Sequence, residues 1–378
     1  MLQRLVILLV TIPAAAFAQT NCATETPRGT GTTYQISSSS QLANLPVLKP
    51  GDNVLLRRGT TFFTSATVTV RQSGTSTRPI LFGAYGSGSR PVLDGSRQST
   101  RYHYGVNAVG RSWVTIDGLE IRNYGVPVHI YQSQQIKVRR SLIHHARATC
   151  NKIAGGSSDI TLEGNHIHTC GLTSNGEGIY VGTDPANTST EDVVQRVILR
   201  RNTVGNLNHE GIEFKPGVRN SILDSNRIDD VSIGVHVSHW PGSSFKNAHK
   251  ITKNLLSNLS DRGMVVKSGA EIWKNVVSTA PGFGYQILDS SGTGQPINLH
   301  HNTVYNTQAA GLSIGSGPMT STANLVYRTG GGNFPQDPLF VNPAAMDFRL
   351  RSGSPANGLG AYAVGEALWP TGHTGCHP

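Results

Sequence analysis

The feature that most constrains the fold is a short motif that recurs along most of the chain. Each copy is a short strand that leads into an asparagine with an aliphatic residue two places later, as in "ITLEGNHIHT", "VILRRNTVGN" and "INLHHNTVYN". The asparagines are Asn165, Asn202, Asn226, Asn254, Asn275 and Asn302, and Leu119 and Ser141 take the same place in two earlier copies. Successive copies are 22, 24, 37, 24, 28, 21 and 27 residues apart. Short strands and turn residues at such a period predict the coils of a parallel β-solenoid.

A second, glycine-led motif marks another strand in most coils. Its copies read "GVPVH", "GIYVG", "GIEFK", "GVHVS", "GMVVK", "GYQIL" and "GLSIG". The second and fourth letters are almost always apolar, which is typical of a strand with one buried face. The apolar residues at these positions should therefore stack into one core, with equivalent residues of adjacent coils about 4.7–4.9 Å apart. We expect the asparagines to form a ladder in which each satisfies turn backbone groups of its neighbour.

The fold class that these motifs predict is all-β, a parallel β-helix that forms one elongated domain. An α/β fold is disfavoured because no amphipathic helix pattern of about 10 to 15 residues separates the strands. The segments "LKPGDNVLLRRGTTF" and "SGTSTRPILFGAYGSGSRPVLDG" resemble the first coils of right-handed parallel β-helix polysaccharide-active proteins, and "DPLFVNPAAMDFRLRSGSPANGLGA" is similar to their closing segment. The resemblance covers about residues 33–362. It implies a cap with first coils over residues 33–95, central coils over 96–315 and a closing segment over 316–378.

The first 18 residues have the layout of a secretory signal peptide. Arg4 precedes a short apolar run, and the small-residue end at Ala16-Phe17-Ala18 suits cleavage. We therefore expect residues 19–378 to be secreted or periplasmic, with no membrane partner, because no other apolar stretch approaches the length of a membrane span.

The four cysteines are expected to be able to pair in an exported chain. Cys150 and Cys170 lie about one repeat apart, so a disulfide between neighbouring coils is predicted. Cys22 and Cys376 stand near opposite ends of the chain, and the sequence does not decide whether they meet.

The charge balance points to a polyanionic partner. The chain carries a formal net charge of +10, although only 14% of its residues are charged. Outside the cell a basic surface favours acidic polysaccharides, and no Lys/Arg run or nucleic-acid motif indicates a nucleic-acid partner. We expect a monomer that acts on an acidic polysaccharide.

Aligning the glycine motifs brings polar side chains of neighbouring coils into columns. The residues predicted to converge on three successive coils are Tyr180, Glu213, Lys215 and His236, with Glu177 and Glu210 at one edge. In the preceding coil we expect Pro127 to occupy the column of Tyr180. The step of 37 residues lengthens the coil that carries Glu177, and its extra residues should leave as loops that wall a cleft. The sequence therefore predicts a candidate active site here.

Each of these residues also has a structural interpretation. Outward strand residues are expected to be polar, and a glutamate beside a lysine is often a solvated pair of little energetic value. We expect one of His236 and His239 to be a structural hydrogen-bond donor. We interpret His209 and the pair His144 and His145 as structural.

Three further residues are candidates for binding substrate: Arg262, Lys267 and Trp240. Arg262 and Lys267 continue two of the polar columns onto a later coil. Trp240 either stacks on a sugar ring or packs a turn.

A lysine among acids suits β-elimination on a uronic-acid polymer. The reaction removes the proton on C5, beside the carboxylate, and expels the oxygen at C4. The proton is too weakly acidic unless the carboxylate is neutralised, and Ca²⁺ held by carboxylate oxygens meets that need. A lysine, a histidine or a tyrosine can serve as the base.

The spacing from Glu210 to Lys215 resembles that of the family-6 polysaccharide lyases, the group of alginate lyase and chondroitinase B. The resemblance implies that Lys215 is the base and that Glu210, with Glu177 or Glu213, holds Ca²⁺. That group also has an arginine on the following coil, where this chain has Ser238. The candidates for this assisting role are Arg219 and His239, with Tyr180 and His236 as further catalytic residues.

Other chemistries on the same fold remain as alternatives. The "NTDG", "GHG" and "RIK" signatures of polygalacturonase-like hydrolases are missing, as are the "WIDH" pattern of pectate lyases and the "DPHD" pattern of alginate epimerases. A hydrolase that uses two of the three glutamates, a C5-epimerase and a non-catalytic glycan-binding or adhesion protein each remain open. The sequence does not choose among acidic polysaccharides.

Overall fold

The fold is an almost entirely β-stranded parallel solenoid, as predicted. The structure is a computed structural model that describes residues 26–63, 68–96, 103–174, 176–240, 248–288, 296–316 and 318–372. Within these residues, strands of successive coils pair in parallel along one elongated domain. The predicted signal peptide, Cys22 and Cys376 lie outside the described residues.

One side of the solenoid is a sheet of 12 strands in the described part of the chain, which we call the first sheet. Its strands are Thr33–Ile36, Asn53–Arg57, Ile80–Tyr85, Ser112–Asp117, Gln134–Arg139, Thr161–Glu163, Ile198–Arg200, Ile222–Asp224, His249–Thr252, Ala270–Trp273, Ile297–His300 and Met319–Thr322. Each strand between the two end strands pairs with the strand one coil earlier and the strand one coil later.

The remaining coil strands form a sheet of 19 strands, counted over the described ranges, in two rows. The middle row contains Thr61–Phe63, Val92–Asp94, Glu120–Arg122, Leu142–His144, His166–His168, Thr203–Gly205, Val276–Ala280, Thr303–Thr307 and Leu325–Tyr327. The site row contains Val68–Val70, Tyr104–Val109, Val126–Tyr131, Asn151–Ala154, Ile179–Val181, Ile212–Phe214, Tyr285–Ile287 and Leu312–Ile314. Two long strands, Arg227–Val237 and Leu255–Val266, take part in both rows.

The predicted asparagine ladder lies at the corner between the first sheet and the middle row. Asn202, for example, donates from Nδ2 to Asn226 Oδ1 at 3.1 Å and to the carbonyl of Leu162 at 2.9 Å. Its own Oδ1 accepts from the backbone N–H of Asn165. The ladder runs through Asn165, Asn202, Asn226, Asn254, Asn275, Asn302 and Asn324. Buried backbone groups must find partners, and the ladder provides them where the chain turns away from sheet pairing.

The corner needs a left-handed backbone as well as the asparagine. The residue before a ladder asparagine has a positive φ, as at Arg201 (52°), Ser225 (57°) and Lys253 (55°). Matching left-handed residues follow the middle row, including His145 (φ 52°) and Thr169 (φ 55°). These turns let the apolar side chains of the strands point to one axial core. The core contains Ile167, Leu199 and Leu223 among many fully buried side chains.

Short helices and one antiparallel strand pair lie outside the coils. The α-helix Ser39–Ala43 buries Leu42 against the first coils. The 3₁₀ helices are Pro185–Asn187 and Pro343–Ala345, and Phe340–Asn342 pairs antiparallel with Asp347–Leu350. Among the described residues, none of these helices has the length and apolarity needed to span a membrane.

The C-terminal strap, residues 340–372, runs back along the outside of the middle row. The N–H of Gly360 donates to the carbonyl of Ala323, and the N–H of Ala361 donates to Thr303 Oγ1. Further along, Glu366 contacts Lys274, and Gly372 donates to the carbonyl of Ser225. The strap covers apolar side chains that point outward from the middle row, among them Leu255, Val276 and Leu325.

The predicted disulfide between Cys150 and Cys170 is confirmed. Cys150 precedes the strand Asn151–Ala154, and Cys170 follows His166–His168 on the next coil. The bond therefore ties two successive coils together beside the site row.

Candidate functional site

Strand pairing in the site row stacks the predicted column on successive coils. Tyr180 pairs with Glu213, and Glu213 pairs with His236, in agreement with the alignment of the glycine motifs. The residue before Tyr180 in this column is Lys152, so the prediction of Pro127 is wrong. The coil was missed because Cys150 stands where the other coils have the motif glycine.

An ion pair between Glu213 and Lys215 lies in the middle of the column. Lys215 Nζ is 2.7 Å from Glu213 Oε1 and 3.0 Å from Asp184 Oδ2. Glu213 is 3% exposed, and a carboxylate is rarely buried so deeply without a partner. Burial works against the charge on Lys215, but the hydrogen bonds and charges of Glu213 and Asp184 raise the pKa of the amine above its ordinary value. Lys215 is therefore an ammonium at neutral pH in this arrangement.

The ring of Tyr180 lies close to two ammonium groups. Lys215 Nζ is 5.1 Å and Lys152 Nζ is 5.3 Å from the ring centroid, which is within the range of a cation–π contact. Burial raises the pKa of the Tyr180 phenol. The hydroxyl therefore keeps its proton near neutral pH and can donate it to an acceptor bound at the site.

The edge of the cluster consists of Glu177, His209 and Glu210. His209 Nδ1 is hydrogen-bonded to Glu210 and lies 3.6 Å from Glu177 Oε1. Burial, together with the charges of Glu213 and Glu210, raises the pKa of Glu177. Burial also opposes the charge on Glu210, but His236 and His209 lower the pKa of Glu210 to about 2. The pKa values of the two stacked glutamates are thus shifted in opposite directions.

His236 joins the edge of the cluster to its centre. Its Nδ1 lies 3.7 Å from Glu210 Oε1 and 3.5 Å from Glu213 Oε1, and its Nε2 is 3.3 Å from the hydroxyl of Ser238. Burial alone would lower the pKa of His236, but the two glutamates raise it. The imidazole can therefore hold a proton beside the two carboxylates.

The lengthened coil places a loop beside these groups. The loop follows Ile179–Val181 and contains Asp184, which caps the helix Pro185–Asn187 and contacts Lys215. It is held back against the previous coil by Asp192, which accepts hydrogen bonds from the backbone N–H groups of Gly155 and Gly156. The loop thus contributes a carboxylate to the site as well as bulk.

The other predicted residues lie around this centre. Arg219 forms an ion pair with Glu191 of the same loop at 2.6 Å. His239 is half-buried, and burial lowers its pKa against the opposing charge of Glu191. The catalytic roles of both residues stay predictions.

The candidate substrate-binding residues extend the site towards later coils. Arg262 contacts Asp261 at 3.0 Å and Gln286 at 2.5 Å, and Gln286 belongs to the site row. Lys267 is close enough to His236 for its charge to oppose protonation of the imidazole. Trp240 is half-buried at the end of a described segment.

Three residues that matter to the site were not predicted for it. Lys152 lies on the coil that the alignment missed, and Asp184 lies on a loop whose path the repeat does not specify. His209, interpreted as structural, sits between the two stacked glutamates. Its position directly before Glu210 was a signal that could have identified it.

The donor atoms are compatible with a divalent cation. One set is Glu177, His209 and Glu210, another is Glu210, Glu213 and His236, and in each set the donor atoms lie within 4.8 Å of one another. Glu213 Oε2 is buried and has no hydrogen-bond partner within the described residues. The carboxylates suit Ca²⁺, whereas the imidazoles suit ions such as Zn²⁺. Burial is the main cause of the raised pKa of Glu177, and the charges of Glu213 and Glu210 add to it.

Comparison with protein families and solved structures identifies the fold. A family model described as a right-handed β-helix region matches residues 84–249. No curated protein matches the chain in sequence. The resemblance of the coils to right-handed parallel β-helix proteins is therefore confirmed for this part of the chain.

Several solved structures are similar over most of their length. An alginate lyase from Paenibacillus sp. str. FPU-7 has a TM-score of 0.61 at 21% identity, covering 77% of this chain and 99% of that one. A pectate lyase, Pel9A, has a TM-score of 0.54 at 18% identity, covering 86% and 90%. A rhamnogalacturonan lyase has a TM-score of 0.50 at 13% identity, covering 91% and 100%. At these identities the similarity establishes the fold.

Proposed function

We propose that this right-handed β-helix protein is a secreted polysaccharide lyase that cleaves a uronic-acid-containing polysaccharide by β-elimination. The observation that carries the proposal is the contact of the Lys215 amine with Glu213 beside the Tyr180 ring, within one cluster of acids. An isolated surface ion pair would not bury a carboxylate to this degree. The three lyases of the same fold support a polysaccharide substrate, and the net charge of +10 suits an acidic one.

The elimination requires two proton transfers. The Lys215 amine, after losing its proton, accepts the proton on C5. The electron pair of the C5–H bond forms the C4=C5 double bond, and the C4–O4 bond breaks. The departing O4 takes a proton from Tyr180 or His236, which both lie in the column with Glu213. The products are an unsaturated uronate and a free hydroxyl end.

The carboxylate of the substrate also needs a positive partner. In this proposal Glu177, Glu210 and Glu213 hold Ca²⁺, which when bound neutralises the uronate and so acidifies the C5 proton. Lys152, Lys267 and Arg262 supply positive charge along the same row, and Trp240 offers a surface for a sugar ring. Arg219 and His239 remain candidates for assisting the leaving group.

Activity on a panel of uronic-acid polymers tests the reaction class. We expect an ultraviolet-absorbing unsaturated product from at least one polymer, and its complete loss in Lys215→Ala. The matched control is Lys137→Ala, because Lys137 is an exposed lysine on the first sheet. Normal turnover in a folded Lys215→Ala variant would remove Lys215 from the mechanism.

Chelation tests the metal separately. We expect rigorous EDTA treatment to abolish product formation and Ca²⁺ to restore it. Zn²⁺ and Mn²⁺ should be compared in the same assay, because the donor set includes imidazoles. Full activity after chelation would exclude a required metal and leave the lysine chemistry intact.

One observation favours a second candidate, a glycoside hydrolase. Glu177 has a raised pKa and Glu210 a pKa of about 2, and such a divided pair is suited to an acid and a base or nucleophile. A hydrolase would release reducing ends without an ultraviolet-absorbing product. Glu177→Gln would then abolish activity while Lys215→Ala would leave part of it.

A further inference from the structure

A second cluster of donor atoms lies on the outer face of the middle row. It consists of His144 and His145 on one coil and His168 on the next, and one ring nitrogen from each lies within 4.8 Å of the others. His144 and His168 occupy paired positions on adjacent strands, and their rings stack at 4.9 Å. The cluster shares no residue with the candidate active site.

The backbone turn explains why two consecutive histidines reach the same point. Successive side chains of a strand point to opposite faces, but His145 has a left-handed backbone (φ 52°) at the corner that ends the strand. The turn brings its ring back beside His144, so that the two Nδ1 atoms face each other at 2.5 Å. His145 is exposed, which gives solvent ions access to the pair.

Neighbouring side chains orient the rings as metal ligands are usually oriented. His144 Nε2 faces Glu120 Oε1 at 3.2 Å, and Glu120 is in turn held by Arg122 at 2.8 Å. His168 Nδ1 faces the hydroxyl of Thr169 at 2.9 Å. These contacts occupy Nε2 of His144 and Nδ1 of His168, and the other nitrogen of each of these two rings can bind a metal ion. A carboxylate behind a histidine is a common outer shell of metal sites.

We propose that His144, His145 and His168 bind a divalent transition-metal ion, with Zn²⁺, Co²⁺ and Ni²⁺ as the fitting class. Three imidazole nitrogens suit these ions and do not suit Ca²⁺. The donors would be Nδ1 of His144, Nδ1 of His145 and Nε2 of His168, with a fourth position open to water. The ion would join the same two coils that the disulfide Cys150–Cys170 joins.

The molecule contains a natural control for this proposal. His300 and His301 repeat the local arrangement: His301 has φ 52°, the two Nδ1 atoms lie 3.0 Å apart, and His300 Nε2 contacts Glu271 Oε1 at 2.6 Å. The residue that pairs with His300 on the next coil is Thr322, and the preceding one is Trp273. This second pair therefore lacks a third imidazole on the paired strands.

The test is Co²⁺ titration of the full mature chain without a polyhistidine tag, followed by visible absorption after chelator treatment and dialysis. We expect one Co²⁺ ion with imidazole ligands, and at least about a tenfold weaker affinity in His145→Ala and in His168→Gln. His301→Ala is the matched control and should bind as the wild type does. Glu210→Gln should leave the visible band unchanged, which separates this ion from any at the candidate active site.

A thermal shift gives a second readout. In the Glu210→Gln background, which removes a donor shared by both active-site sets, Zn²⁺ should raise the Tm of the parent and of His301→Ala, but not that of His168→Gln. Because His145 is exposed, His145→Ala is expected to fold normally and keeps the test valid if His168→Gln does not fold. Unchanged Co²⁺ binding in His145→Ala, or an equal loss in His301→Ala, would overturn the proposal.

Discussion

The surroundings of Lys215 oppose the role that the proposed reaction gives it. A base must start without its proton, yet Glu213 and Asp184 raise the pKa of the amine above its ordinary value of about 10.4. The rate of elimination should therefore rise with pH as the unprotonated fraction grows. The acids set the working pH of the site, and Asp184 is the one on a surface loop, where it can be changed without opening the core.

Asp184→Asn should move the rising limb of the pH–rate profile to lower pH. Asp184 Oδ2 lies 3.0 Å from Lys215 Nζ, and its charge stabilises the ammonium. Without that charge the pKa of Lys215 is lower, so the unprotonated amine forms at a lower pH. The asparagine can still cap the helix Pro185–Asn187, because its side-chain oxygen can accept from the N–H of Ala186 as Asp184 does. The measurement is kcat against pH for wild type and variant.

Glu191→Gln is the matched control for this variant. Glu191 is on the same loop but pairs with Arg219, so its removal should leave the limb in place. If Asp184→Asn lowers the rate at every pH without moving the limb, Lys215 acts as a fixed cation and not as the base.

Individual residues also mark how far the sequence could define the site. Tyr180, Glu213 and His236 were predictable because each occupies a repeated outward position, and the repeat fixes which residues pair. Lys152 was not, because the coil that carries it has Cys150 in place of the motif glycine. Asp184 was not, because its loop is fixed by hydrogen bonds that Asp192 accepts from Gly155 and Gly156 on the preceding coil, and no periodicity encodes them.

At the scale of structural elements, the asparagine ladder is the part of the fold that the sequence specified most directly. Each asparagine replaces backbone pairing at a corner, so the residue type and its interval together indicate both the turn and the coil length. Asn324, the last described member, escaped the prediction because the strand before it, Met319–Thr322, is largely polar, although Val326 stands two places later as in the other copies. The ladder also predicts where replacing a buried polar residue should lower the stability most.

Asn226→Ala should lower the free energy of unfolding by about 2–4 kcal/mol. The fully buried side chain donates to the carbonyl of Leu199 and accepts from the N–H of Asn202, and alanine would leave both groups unsatisfied. Each buried group left without a partner costs about 1–3 kcal/mol. Chemical denaturation followed by circular dichroism measures the loss.

The control for the ladder is Asn324→Ala. Asn324 makes the same kinds of contact but is partly exposed at the end of the ladder, so water can replace them. We expect a loss of about 1 kcal/mol or less. Equal losses at the two positions would show that burial of the ladder is not what makes it stabilising.

At the scale of the whole molecule, the strap adds contacts to those that neighbouring coils make with each other. A solenoid is stabilised by contacts between neighbouring coils, but residues 340–372 contact positions as far apart as Ala323 and Ser225. The strap therefore adds long-range contacts to a fold that otherwise has few beyond adjacent coils. Its path was not predictable because no repeat places it; only the resemblance of its first part to a closing segment indicated that it is folded.

This arrangement predicts that the strap can detach while the coils stay folded. Phe348 is 1% exposed and packs against Phe340 and Tyr305, so Phe348→Ala should weaken docking of the strap by about 3 kcal/mol. Trp369, which stacks on Tyr362, should report an early transition by fluorescence, identified by its disappearance in Trp369→Phe. The circular dichroism signal of the coils and the activity of the candidate site should be retained through that transition.

Leu223→Ala, in the axial core, is the control and should instead lower the stability of the coils themselves. A single transition that moves equally in both variants would mean that strap and coils unfold as one unit.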